Sequence, residues 1–118
     1  KIEKGKAFKI TNIYFSRDSF SLSQPAKYVL NAFSEFLKEN TSVKIAIYGH
    51  TDSDGDEILI LNLSSKRAKQ VQNYIISMGV SSERLSYKGY GEKKPLESNS
   101  TERGKSINRR TEFYVVEK

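Results

Sequence analysis

Apolar side chains at Phe8, Ile10, Ile13 and Phe15 nearly alternate with polar ones, with a one-residue slip near Asn12. Because successive strand side chains point to opposite faces, this predicts a bulged strand over about Ala7 to Phe15. After the polar stretch Ser16 to Ser23 the period changes. Ala26, Val29, Leu30, Phe33, Phe36 and Leu37 recur three and four residues apart and would share one face of a helix. Ser23 is suited to cap that helix, and Pro25 to its first turn, where N–H groups have no helical partner.

Asn40 and Thr41 break the helical pattern, and Val43, Ile45 and Ile47 then alternate with Lys44, Ala46 and Tyr48 as a half-buried strand does, ending at Gly49. An Asp-rich turn over Thr51 to Glu57 leads to a second amphipathic helix, with Ala68, Val71, Ile75 and Met78 on one face. Ser64 is the expected N-cap and Gly79 the expected residue just past the C-terminus. Leu85, Tyr87 and Gly89 predict a third strand, and Thr111, Phe113 and Val115 a fourth. The turn-rich stretch Gly89 to Asn99 and a short helical turn around Thr101 to Ile107 lie between them.

The order is β-α-β-α-β-(short α)-β. It predicts an α/β (α+β sandwich) fold: a mixed four-stranded sheet with two main helices on one face, burying both amphipathic stripes. A chain of 118 residues suits one domain with a core over about 7–117.

Composition narrows the chemistry. With 36% hydrophobic and 29% charged residues the chain has a globular rather than a disordered make-up. It has no Cys, so disulfides and thiolate metal sites are excluded. The longest apolar run, Ile58 to Leu61, is far short of a membrane-spanning helix, so the domain is expected to be soluble. The net charge of +6 raises the question of a polyanionic partner, but acidic residues interrupt the basic ones, as in Glu92 Lys93 Lys94, and no base-reading motif is visible. Nucleic acid is therefore not expected as a partner.

Gly49 His50 Thr51 Asp52, Leu63 Ser64, Arg67 Ala68, Arg84 Leu85, Gly89 Tyr90 Gly91 Glu92, Gly104 and Asn108 Arg109 Arg110, taken in order and at their spacing, resemble the OmpA-like peptidoglycan-binding family. The resemblance spans roughly residues 10–117. It implies a non-enzymatic domain that grips the diaminopimelate of the stem peptide and anchors a larger outer-membrane or periplasmic protein to the cell wall. It also implies a place on the periplasmic face of the outer membrane. No signal segment precedes Lys1, so the chain is read as an excerpt of such a protein. Whether the domain forms a homodimer is left open.

The principal ligand contacts that the resemblance implies are Asp52 and Arg67, with Asp18, Thr51 and Leu63 as secondary ones. The chemistry agrees, since the ligand's zwitterionic end needs a carboxylate for its ammonium and a forked guanidinium for its carboxylate. With Ser64 as N-cap, Arg67 would fall in the first turn, where free N–H groups and the helix dipole also favour an anion. The residue types alone equally suit a structural ion pair, between Asp52 and Arg67 or with neighbours. Three departures stand out: Ile60 and Arg17 replace a family Asn and an aromatic residue, and the run through Ile58, Leu59 and Ile60 is unusually apolar for a surface turn. These suggest an alternative use of the fold as a protein interaction module.

Catalytic residues, cofactors and metals are not expected. His50 is the lone His and is read as structural, as is Tyr90. A calcium loop starting at Asp52 would need Gly and Glu where Glu57 and Leu63 stand. Neither a nucleophile-elbow setting nor a phosphate loop is present. Asn108 Arg109 Arg110 is read as a solvated or salt-bridged strand end.

Overall fold

The structure, a computed structural model, describes residues 13–16 and 19–117. Its elements are β1 (Ile13–Tyr14), α1 (Gln24–Glu39), β2 (Lys44–Gly49), α2 (Glu57–Ser77), a 3-10 turn (Ser82–Arg84), β3 (Leu85–Gly89), α3 (Glu102–Asn108) and β4 (Arg110–Glu117). Most of the expected first strand, Ala7 to Asn12, lies outside the described residues, as do Arg17 and Asp18.

The sheet order is β1-β4-β2-β3. Among the described residues only the β2–β3 pair, joined through α2, is parallel; β4 runs antiparallel to both β1 and β2. Ile45, Ile47, Leu85, Phe113 and Val115 face α1 and α2 and meet Leu30, Phe33, Leu37, Val71 and Ile75 in the core. Phe33 packs on Phe113 with ring centroids 4.9 Å apart. The expected α/β architecture is thus the observed one.

Helix α1 starts as its capping residues require: the Ser23 hydroxyl accepts the Ala26 N–H at 3.2 Å. At its other end, Arg84 donates from Nη2 to the carbonyls of Leu37 and Asn40, both at 2.8 Å, satisfying acceptors the helix leaves open. Gly79 has φ +106° at the end of α2, the left-handed turn expected after that helix.

The start of α2 differs from expectation. The N-cap is Asp56, whose Oδ2 accepts the N–H groups of Ile58 and Leu59 at 3.1 and 3.3 Å. Ser64 is interior, and its hydroxyl donates back to the Leu61 carbonyl at 2.7 Å. The buried stripe runs Ile60, Ser64, Arg67, Ala68, Val71, Ile75. Its first half contains two polar residues, so hydrophobic periodicity alone becomes visible only at Ala68. Arg67 therefore sits two turns deeper than expected, beyond the reach of the helix dipole's positive end.

Close approach explains why α2 seats so firmly on the strands. A Cβ on Gly49 would strike the Ser64 carbonyl, and one on Gly89 would strike Ser64 Oγ and Ser65 N. Glycine at the ends of β2 and β3 thus lets the helix drop onto the sheet, carrying Arg67 beneath the end of β2.

Candidate functional site

The connection after β2 is pinned at its start. The His50 N–H donates to the Arg110 carbonyl at 2.8 Å, and the Thr51 N–H to the Gly91 carbonyl at 2.9 Å. Asp52 then closes the turn, its Oδ1 accepting the Asp54 N–H at 2.9 Å. Its Oδ2 accepts from Arg109 Nη1 at 2.6 Å. Asp52 is only 4% exposed, so this charge-assisted bond offsets its removal from water.

Arg109 follows α3, and its Nε also donates to the Phe15 carbonyl at 3.3 Å. One turn earlier, Lys105 reaches Asp54 Oδ1 at 3.2 Å. Four-residue spacing thus sets Lys105 of α3 and Arg109, its C-cap, against two carboxylates of the turn. Arg109 also lines an open depression of about 440 Å³, together with Tyr14, Phe15, Ser16, Ser106 and Ile107.

Arg67 is fully buried. Its Nε donates to Ser19 O at 2.8 Å, Nη2 to Ser16 O at 2.9 Å and Nη1 to His50 O at 3.2 Å, while its guanidinium lies 5.0 Å from the Phe15 ring centroid. One side chain of α2 therefore ties the segment before α1 to the end of β2. Asp52 and Arg67 are brought to the same end of the sheet, two residues apart through His50, but the carboxylate pairs with Arg109 rather than Arg67. Thr51 is buried beside them, and its Oγ1 has no partner among the described residues. Leu63 is half-buried one turn before Arg67. Asp18 lies outside the described residues.

Asn108, Arg109 and Arg110 do three different jobs. The buried Asn108 amide accepts from Leu96 N and Glu97 N and donates to Glu97 O and Asn99 Oδ1, all within 3.0 Å, folding the long loop. Arg110 Nε bonds Glu112 Oε2 at 3.0 Å, and His50 Nε2 meets Glu112 Oε1 at 3.1 Å. Burial raises the Glu112 pKa, but hydrogen bonds from His50 and Arg110 and the Arg110 charge outweigh it and hold it at about 2. Sequence reasoning missed the Asp52–Arg109 pair. The legible signal was Lys105 and Arg109 at helical spacing, opposite Asp52 and Asp54.

A mixed sheet backed by two helices on one face, with an acidic turn clamped by Lys105 and Arg109, defines an α/β domain whose buried charge gathers at one end of the sheet. Residues 14–109 match the OmpA family, and the chain belongs to that family. It is 38% identical over 104 residues to the peptidoglycan-binding protein ArfA of Mycobacterium tuberculosis, covering 87% of this chain and 32% of that protein. Over 104 residues it is 36% identical to the probable lipoprotein YiaD of Escherichia coli, covering 88% of this chain and 48% of that one. The chain thus spans half or less of these two relatives. Among solved structures, the peptidoglycan-associated lipoprotein from Burkholderia pseudomallei aligns with a TM-score of 0.85 at 28% identity, covering 88% of each chain.

Proposed function

We propose that this chain binds peptidoglycan through the diaminopimelate of its stem peptide, holding a larger envelope protein to the wall from the periplasmic face of the outer membrane. The observation that carries this reading is the buried Asp52 carboxylate, fixed by its own turn and paired at 2.6 Å with an arginine that lines an open depression. Asp52 receives the ligand's ammonium. The ligand's carboxylate is taken by Arg109 at the surface and by Arg67 beneath it; contact with Arg67 requires the Ser16 and Ser19 carbonyls to release it. Thr51 and Leu63 shape the wall, and Asp18 is kept as a further contact. Family membership and the similarity to the peptidoglycan-binding protein ArfA support this reading.

The test is retention on purified sacculi of the wild type, Asp52→Asn, Arg109→Ala and Arg67→Ala, each checked for folding. Losing one charge-assisted bond should weaken retention roughly tenfold to a hundredfold. Equal retention of all four removes the proposed site.

One observation favours a second reading as a protein interaction module. Ile58, Leu59 and Leu61 are 69%, 66% and 40% exposed beside a cleft of about 130 Å³ lined by Ile60, Leu61, Tyr90 and Gly91. Absence of retention on sacculi, with salt-insensitive association lost in Ile58→Ser, would favour it.

A further inference from the structure

Pairing across the sheet brings together residues that strand alternation points away from α1 and α2: Tyr48 lies beside Lys88 and Glu112, and Tyr114 beside Ala46. Tyr90, just past β3, joins them. The Tyr48 ring is 5.1 Å from both Tyr90 and Tyr114, so three half-exposed rings form a continuous row. Tyr90 is backed by His50, stacked at 5.7 Å and 11°.

Two ammonium groups converge on this row. Lys88 Nζ lies 4.9 Å and Lys94 Nζ 4.7 Å from the Tyr90 ring centroid. Neither has a carboxylate within ion-pair reach among the described residues, and both side chains are exposed. The nearby acid, Glu112, is already engaged by Arg110 and His50. Two like charges held at one ring repel each other, and an exposed cation–π contact returns only about 0.5–1 kcal/mol to each. An anion seated between them would relieve the repulsion and draw on both.

We propose that this face is a second binding surface, for a glycan strand whose sugar rings carry free carboxylates, such as peptidoglycan glycan stripped of its stem peptides. The tyrosine row offers apolar faces and hydroxyls to pyranose rings, and Lys88 and Lys94 grip a carboxylate. Nucleic acid suits it less, because the rings contact one another edge-on or tilted rather than standing apart to admit bases. The choice of this glycan rests on the peptidoglycan reading; the surface does not use Asp52, Arg67 or Arg109.

Calorimetric titration with amidase-stripped glycan strands tests this, alongside neutral chitin oligosaccharides, polyglutamate and oligothymidylate. Strand binding should weaken with salt and be about tenfold weaker in the Lys88→Gln/Lys94→Gln double variant and in Tyr48→Ala. Asp52→Asn should bind the strands as the wild type does, whatever its retention on sacculi. The double variant alters only exposed side chains, so circular dichroism should show its fold intact. The proposal is overturned by absence of wild-type binding, by unchanged binding in the double variant, by equal loss in Asp52→Asn, or by any of the three control polymers binding as tightly.

Discussion

Replacing Arg67 by Met keeps the length of a buried side chain while removing its five N–H donors. Three main-chain carbonyls lose a guanidinium donor, the Ser16 carbonyl keeping the Ser19 N–H. The His50 carbonyl is enclosed, so its loss carries the full cost of an unsatisfied buried acceptor, about 1–3 kcal/mol. The Ser16 and Ser19 carbonyls sit nearer solvent, water replaces the donor in part, and each loses about 0.5–1.5 kcal/mol. Met restores most of the packing, so the net destabilisation is about 3–4 kcal/mol. In a domain of this size that lowers the melting temperature by roughly 10–20 °C, read by circular dichroism. A change below about 2 °C would refute the bracing role and leave Arg67 as a ligand contact alone. A large drop with full retention on sacculi would leave it as a brace alone.

Gly49→Ala forces a Cβ into the Ser64 backbone, which cannot swing aside as a side chain can; destabilisation near the upper end of about 1–3 kcal/mol is expected in urea unfolding. Lys105→Ala removes one ionic contact of Asp54 while leaving the Asp52–Arg109 pair in place, so the melting temperature should hold while amide exchange quickens over residues 53–55. Glu112 has a folded pKa of about 2, below its ordinary 4.5, so its contribution to stability is present above about pH 4.5 and lost as pH falls toward 2. Glu112→Gln should therefore flatten the fall in melting temperature between pH 5 and pH 2.

The two main helices, strands β2 to β4 and the described end of the first strand were legible because most of their buried positions are apolar and keep a clear period. The start of α2 was not, because Ser64 and Arg67 occupy its core stripe and their burial is justified by partners distant in sequence: Gly91 N–H for the serine, the Ser16, Ser19 and His50 carbonyls for the arginine. Local pattern holds no trace of such partners. The same reasoning applies to the site. Asp52 stands out as an acid in a tight turn, whereas its pairing with Arg109 spans 57 residues and depends on how α3 lies against the turn. The apolar run that looked out of place divides on the helix, Ile60 turning inward at 5% exposure while its neighbours remain outside.

The Asp52–Arg109 pair bears on which ligands the proposed site accepts. A simple amine that takes Asp52 must compete with Arg109, whose side chain is 12% exposed and would be left without its anion. Stranding one member of a buried ion pair costs about 3–5 kcal/mol, somewhat less at this partly open position. A zwitterion avoids that cost, because its carboxylate meets Arg109 as its ammonium meets Asp52, and every charge keeps a partner. The site should therefore select amino-acid ends over bare amines by well over tenfold. Competition on sacculi distinguishes the cases: free diaminopimelate should displace the domain, whereas 1,5-diaminopentane, which has both amines and neither carboxylate, should not. Equal displacement by the two would mean that Arg109 takes no part in recognition and that Asp52 acts as a lone carboxylate.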